Sequence, residues 1–287
     1  MGDGTGRIDL HMHTTVSDGT DTPEELLEYV KAAGIALFSV TDHDAVKAGT
    51  ILRRRLGAGD PRFIPGVEFS CRDEEGKYHI LGYGFEPDAA PILDTVRRGH
   101  ELRMTKTRAR LDFLRSEFGF SFPEEEIARL LSQDNPGKPH IGNLMVKYGY
   151  AHTKEEAIGR YIDRARFGNE YLRPEEAIAG ILAGGGIPVL AHPLYGSGGE
   201  LILGGEMERR LWRLMGFGLR GVEAYYSGFS DKLRGEALRL AEKYGLFVTA
   251  GSDYHGANKL VRIGDTGLGE ATEYPEGLRR FLALWEP

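Results

Sequence analysis

Ile8-Asp9-Leu10-His11-Met12-His13, followed by Ser17-Asp18-Gly19, decides how the rest of this 287-residue chain is read. The stretch reads as the end of a short buried strand. Residues two apart on a strand point the same way, so His11 and His13 can converge on one cation. Three further stretches repeat the theme: Val40-Thr41-Asp42-His43, Gly66-Val67-Glu68-Phe69 with His79 beyond it, and Ala250-Gly251-Ser252-Asp253-Tyr254-His255. His192 follows a fifth apolar run, Pro188-Val189-Leu190-Ala191. A lone histidine at a strand end is ordinarily a hydrogen-bonded residue and nothing more. Recurrence at the ends of successive apolar runs is what a polynuclear metal site needs, because barrels of parallel strands gather their functional groups at the strands' carboxyl ends.

Working outward, strands are expected over Arg7–Met12, Leu37–Thr41, Arg62–Phe69, Tyr78–Phe85, Ile187–Ala191, Gly221–Ala224 and Phe247–Ala250. Thr22-Pro23-Glu24-Glu25 reads as a helix start, with a capping hydroxyl, a first-turn proline and acids at the positive dipole end. Leu26, Leu27, Val30 and Ala33 then keep helical spacing and Gly34 stops it. Further helices are expected at Pro174–Leu182, Leu211–Phe217 and Ser230–Tyr244. This β-α rhythm predicts an α/β fold with a mainly parallel sheet and helices outside. From Glu86 to Tyr171 the rhythm breaks into helices alone, over Pro91–Phe118, Pro123–Leu131 and Thr153–Tyr161. The expectation is a helical insertion, 87–171, between barrel segments 1–86 and 172–287. Gly196–Gly205 lacks the spacing of a phosphate or dinucleotide loop and reads as a surface loop.

Bulk properties narrow the classes. A net charge of −7 argues against a dedicated nucleic-acid grip. One cysteine, Cys71, excludes an intramolecular disulfide framework and fits a reducing compartment. No apolar run reaches the ~18 residues of a membrane helix, and no signal-peptide core is evident, so the cytoplasm is expected and no membrane partner.

Imidazole and carboxylate without thiolate suit Mn, Fe or Zn, and the ligands exceed what one ion can use. Two or three divalent ions are expected, with Glu68 the natural bridge. Two ions about 3.5–4 Å apart can hold a hydroxide between them and clamp a phosphoryl oxygen, which is the chemistry of phosphoester hydrolysis.

These motifs, with His79-Ile80-Leu81-Gly82-Tyr83 and Ala191-His192-Pro193, resemble the PHP (polymerase and histidinol phosphatase) family of metal-dependent phosphoesterases along nearly the whole chain. The long insertion is similar to the branch holding nucleoside bisphosphate phosphatases, cyclic phosphate phosphodiesterases and a 5′-3′ exoribonuclease. The resemblance implies a distorted (β/α)7 barrel with a trinuclear site. One ion would take His11, His13, Glu68 and Asp253; a second Glu68, His79 and His192; a third Asp18, His43 and His255. Gly137-Lys138-Pro139-His140-Ile141 resembles the family's phosphate-gripping motif. Lys138 would neutralise the substrate, and His140, catalytic alongside Glu68, would bind phosphate or protonate a leaving oxygen. Many relatives place an arginine shortly after Ala-His-Pro, where this chain has Leu194-Tyr195-Gly196. That departure counts against a substrate with two separate phosphates.

The expected activity is hydrolysis of a cyclic phosphodiester or phosphomonoester of a small nucleotide or sugar phosphate. A 5′-3′ exonuclease on short RNA is the alternative, and a non-catalytic metal-binding domain the alternative from another class. No protein partner is implied. Among the remaining residues, Cys71 reads as a packed thiol, and Asp42 and Asp44 as either ligand-orienting or turn-capping. His100 and His152 read as surface residues. Arg97, Arg98, Arg103, Lys106, Arg108, Arg110 and Arg115 read as a solvated helix face before a phosphate-gathering wall. Tyr225, Tyr226 and Phe229 read as core before base-stacking platforms.

Overall fold

The computed structural model describes residues 7–168, 170–196, 200–269 and 273–286. Its seven strands are β1 (Arg7–Asp9), β2 (Ile35–Val40), β3 (Arg62–Arg72), β4 (Lys77–Tyr83), β5 (Ile187–Leu190), β6 (Gly221–Tyr226) and β7 (Phe247–Gly251). They lie side by side in chain order. Past β1, the Leu10 amide donates to the Ala250 carbonyl at 2.9 Å and the Asp253 amide to the His11 carbonyl at 2.7 Å. Met12 bridges Tyr254 in parallel. These bonds bring the two edges together, and the sheet is a distorted seven-stranded barrel.

Between the strands run α1 (Pro23–Ala32), α2 (Lys47–Arg55), α3 (Ala90–Phe118), α4 (Glu124–Leu131), α5 (Lys138–Lys147), α6 (Lys154–Glu156), α7 (Pro174–Ala183), α8 (Gly204–Gly216) and α9 (Asp231–Lys243), with α10 (Glu276–Ala283) last. The start of α1 is a capping box: the Glu25 amide donates to Thr22 Oγ1 at 3.2 Å and the Thr22 amide to Glu25 Oε2 at 2.8 Å. Gly34 then takes φ +66°, the left-handed turn that ends a helix without a Cβ penalty. The three helices expected between Glu86 and Tyr171 are present, and α5 lies there as well. Lys138 and Pro139 form its first turn, so the Gly137–Ile141 motif sits at a helix start. Helix α10 was not anticipated, and α8 begins seven residues ahead of the expected Leu211. Residues 197–199 of the expected Gly196–Gly205 loop lie outside the described residues.

The β-α alternation fails at one place. No helix separates β3 from β4; the chain reverses where Asp73 Oδ1 accepts the Glu75 amide at 2.8 Å and the Gly76 amide at 3.2 Å. Strand β4 is therefore antiparallel to both β3 and β5, while the other neighbours are parallel. The reversal brings His79, near the amino end of β4, to the rim where the other strands present their carboxyl ends.

Apolar burial divides three ways. The largest cluster fills the barrel and underlies α7–α10, with Val67, Ile80, Val189, Val222 and Val248 at its centre. A second packs α1 and α2 on β2 through Leu26, Val30, Phe38 and Leu52. The third, built on Leu111, Leu114, Ile141 and Met145, holds α3 and α5 together apart from the barrel. No described helix is long and apolar enough to cross a membrane.

Candidate metal centre

At the barrel rim, His11 Nε2 lies 3.2 Å from His13 Nε2, 3.4 Å from Glu68 Oε1 and 3.5 Å from Asp253 Oδ1. His13 Nε2 is 3.2 Å from Glu68 Oε2 and 3.4 Å from Asp253 Oδ1. Four donors about 2.1 Å from one ion in a tetrahedron stand roughly 3.4 Å apart. The spacing fits that shell. Glu68, with 1% exposure, is the hub: His79 Nδ1 and His192 Nε2 approach its Oε1 at 2.9 and 3.6 Å, and His43 Nδ1 its Oε2 at 3.1 Å. On the far side of His13, His255 Nε2 stands 3.3 Å and His43 Nε2 3.9 Å from opposite oxygens of Asp18. The structure thus brings every predicted ligand into one cluster. His43 lies between Glu68 and His79 on one side and Asp18 and His255 on the other.

Buried polar atoms ordinarily find hydrogen bonds. Glu68 Oε1, Asp18 Oδ1 and His43 Nδ1 are buried and have none. Crowded imidazole and carboxylate donors, some with no hydrogen bond of their own, are what a cation resolves, so the residues present fit divalent metal. Electrostatics agree. Burial opposes charge on His13, but hydrogen bonds to Asp253 and Glu68 outweigh it and hold the imidazole up at about 9. Burial likewise opposes charge on His11, and Glu223, Glu68 and Asp253 raise it well above the usual value. Burial raises Glu68, yet His79, His43 and His11 pull it well below the carboxylate range.

Around these groups stands a layer of positioning residues. Glu223, fully buried on β6, places Oε1 2.9 Å from His11 Nδ1 and accepts the His192 amide at 2.9 Å on Oε2. Sequence reading missed it, although one acid inside Gly221-Val222-Glu223-Ala224 was a visible signal. Asp9 accepts the Ser252 and Gly264 amides at 2.9 and 2.7 Å, and burial lifts it to about 6. Asp42 accepts from the Thr14 amide at 2.8 Å and from Ser17 Oγ at 2.6 Å; that hydroxyl lies 3.3 Å from His13 Nδ1. Asp42 therefore orients a ligand, whereas Asp44 pairs with Arg103 at 2.8 Å. Tyr226 donates to Asp253 Oδ2 at 3.2 Å, and Lys259 pairs with the same oxygen. Asp44, His192 and Asp253 are the non-glycine residues with positive φ among those described, at +50, +29 and +58°. Strain is concentrated where the cluster is.

Several expectations need correction. Arg103, Lys106 and Arg110 are not solvated: they are buried and line a cleft beside Asp18, His43 and His79. His100 is half-buried, and its Nδ1 lies 2.8 Å from Asn135 Oδ1; Asn135 Nδ2 in turn donates to the His43 carbonyl. His152 is exposed, as expected. Tyr225 and Phe229 are core, and Tyr226 packs half-buried against it while also reaching Asp253. Cys71 is buried, and burial pushes its thiol well up, as befits a packed residue. Lys138 lines the cleft and pairs with Asp163 at 2.5 Å. His140 Nδ1 accepts the Gly137 amide at 3.0 Å, which leaves the proton on Nε2, and burial lowers its pKa.

A barrel whose rim gathers buried imidazoles and carboxylates beside a cationic cleft defines a metal-dependent hydrolase of anionic esters. The PHP domain family matches residues 9–174, and the chain belongs to it. It is 31% identical to the phosphoribosyl 1,2-cyclic phosphate 1,2-diphosphodiesterase of Eggerthella lenta, covering 91% of this chain and 97% of that one. It is 29% identical to the 3′,5′-nucleoside bisphosphate phosphatase of Chromobacterium violaceum, over 90 and 91%. The solved structure of a candidate metal-dependent phosphoesterase from Bifidobacterium adolescentis is similar at a TM-score of 0.77 and 25% identity, over 98 and 97%. The chain is a metal-dependent phosphoric ester hydrolase of the PHP family.

Proposed function

We propose that the protein hydrolyses a phosphate ester of a small nucleotide or sugar phosphate, as a cyclic diester or a monoester, in the cytoplasm. Three divalent ions, Mn, Fe or Zn, would be held by His11, His13, Glu68 and Asp253; by Glu68, His79 and His192; and by Asp18, His43 and His255. The observation that carries the reading is Glu68, a buried carboxylate on which five imidazoles converge, His11, His79 and His192 toward Oε1 and His13 and His43 toward Oε2. Bound ions supply Lewis acidity that activates water and neutralises phosphoryl oxygens. The chain's own residues do the rest. Glu223 and Asp42 fix the imidazoles, and Lys138 and Arg103 set the cleft's positive potential. His140 presents Nε2–H as a neutral hydrogen-bond donor for a phosphate or leaving oxygen. Residues 87–171 act as a substrate cap carrying α3 and α5 across the cleft.

The test is a phosphate-release screen on metal-loaded protein with cyclic phosphates, bisphosphates, monoesters and 5′-phosphorylated RNA. Turnover of one small ester, abolished in His11→Ala and Asp253→Asn, is expected. The burial of Arg103, Lys106 and Arg110 in the cleft favours one second reading, 5′-3′ cleavage of short RNA. RNA turned over faster than every small ester would establish it.

A further inference from the structure

Two asparagines far apart in the chain fasten the helices from α3 to α6 onto one part of the rim. Asn135, 2% exposed and lying between α4 and α5, donates through Nδ2 to the His43 carbonyl at 2.8 Å and to the Asp44 carbonyl at 3.0 Å. Its Oδ1 faces His100 Nδ1 of α3 at 2.8 Å. Asn258 lies in the turn just after His255 and donates through Nδ2 to the Asp18 carbonyl at 2.8 Å. Lys154, which opens α6, closes on Asn258: its Nζ donates to the Asn258 carbonyl at 2.5 Å and to Oδ1 at 3.3 Å. Asn143 Nδ2 of α5 approaches the same Oδ1 at 3.5 Å.

The residues reached in this way are Asp18, His43 and the turn of His255, which together form one group of candidate ligands. The other ligands are held from the barrel: His11 and His192 by Glu223, His13 by Ser17, and Asp253 by Tyr226 and Lys259. Among the described residues, no hydrogen bond runs from residues 87–171 to any of those four, to Glu68 or to His79. Two further contacts point the same way. Asp44, at φ +50°, is a strained residue that its surroundings must hold, and Arg103 of α3 pairs with its carboxylate while Asn135 holds its carbonyl. Gly137 stands so close that a Cβ there would lie 3.1 Å from Asp18 Oδ2. Meanwhile α5 and the chain as far as Tyr161 pack on an apolar core of their own. Their grip on the rim is polar, and water can replace polar contacts at modest net cost.

We propose that Asn135 and Asn258 are positioning residues that make the Asp18–His43–His255 ion site conditional on the docked helical cap. Asn135 sets the backbone that carries His43, and Lys154 acting through Asn258 sets the backbone of Asp18 and His255. Coupling of this kind is reciprocal, so an ion at that site must tighten the cap as much as the docked cap tightens the ion. The inference rests on the three-ion reading above and divides its ions into two kinds: those held by the barrel alone, and one that reports whether the cap is in place.

The experiment titrates Mn²⁺ into the metal-stripped full chain against a competing chelator and follows amide hydrogen exchange across α5 and α6 at each equivalent. Wild type takes up three ions. In Lys154→Met, whose altered side chain touches no ligand, one ion is held at least about tenfold more weakly and the other two as in wild type. Asn135→Ala, acting from the opposite side of the site, weakens the same ion, and Lys154→Arg, which keeps two donors, restores it. In wild type the last-bound ion slows exchange across α5 and α6, and in Lys154→Met the slowing is lost. Three ions held equally by wild type and both weakening variants, or all three weakened alike, overturn the coupling and leave the three-ion reading standing. So does exchange that no ion alters. Two ions or fewer in wild type overturn the three-ion reading and the coupling with it.

Discussion

Glu223 joins two ligands through one carboxylate, with Oε1 at the His11 ring and Oε2 at the His192 amide. Its partner nitrogen on His11 is Nδ1, so the bond fixes the tautomer and leaves Nε2 free to face Glu68 and Asp253. Glu223→Gln preserves the shape but weakens that hold. It should lower metal affinity about 10–100-fold, read by competition with a chelator; wild-type affinity would show that His11 needs no such support. Most of the ligands were legible because they follow an apolar run within a few residues; His79, which precedes the apolar part of β4, and Asp18 are the exceptions. Glu223 left only the signal of one acid in an apolar run, and its role was hidden because it depends on a barrel that closes only when β7 reaches β1. His100 was read as surface for a related reason. Its neighbour Asn135 is distant in sequence and close only once α3 packs over the rim.

At the scale of elements, β4 shows what a periodic pattern leaves open. Alternation identified the strand but not its direction, which is set by the Asp73–Gly76 turn. A parallel β4 would have carried His79 to the opposite end of the barrel. Strand β7 meets β1 closely for a second reason: a Cβ on Gly251 would lie 2.2 Å from His11 Cβ and 2.4 Å from Glu223 Oε1. Gly251→Ala must displace His11 or Glu223. The protein should remain folded by circular dichroism yet bind metal at least tenfold more weakly, on the order of 1.4 kcal/mol; undiminished metal binding would mean that the strands part without disturbing the ligands. The solvated reading of α3 failed because its inward face, marked by Ile92, Leu102, Leu111 and Leu114, has no apolar residue between Leu102 and Leu111, where Arg103, Lys106 and Arg110 turn inward instead.

For the whole molecule, the cluster couples metal, protons and folding. Without metal, and against the effect of burial, hydrogen bonds to Asp253 and Glu68 hold His13 up at about 9, and Glu223, Glu68 and Asp253 raise His11, so the pair retains proton charge at neutral pH. These raised values stabilise the metal-free fold fully below pH ~6.5, and the benefit is lost as pH climbs through about 9. Ligation requires neutral imidazoles, so loading must expel protons and affinity must rise from pH 6.5 to 8.5. Proton release in weak buffer checks this, and no release would mean that His11 and His13 are already neutral. Metal should also raise the melting temperature, as any ligand that binds only the native state does.

The central claim is that this rim is a polynuclear catalytic centre for phosphate esters. The direct measurement is the initial rate of ester hydrolysis by chelator-stripped protein as Mn, Fe or Zn is titrated back. No turnover without metal, and activity that saturates only beyond one equivalent, is the predicted result. Turnover by the stripped protein, or full activity at a single equivalent, would contradict it.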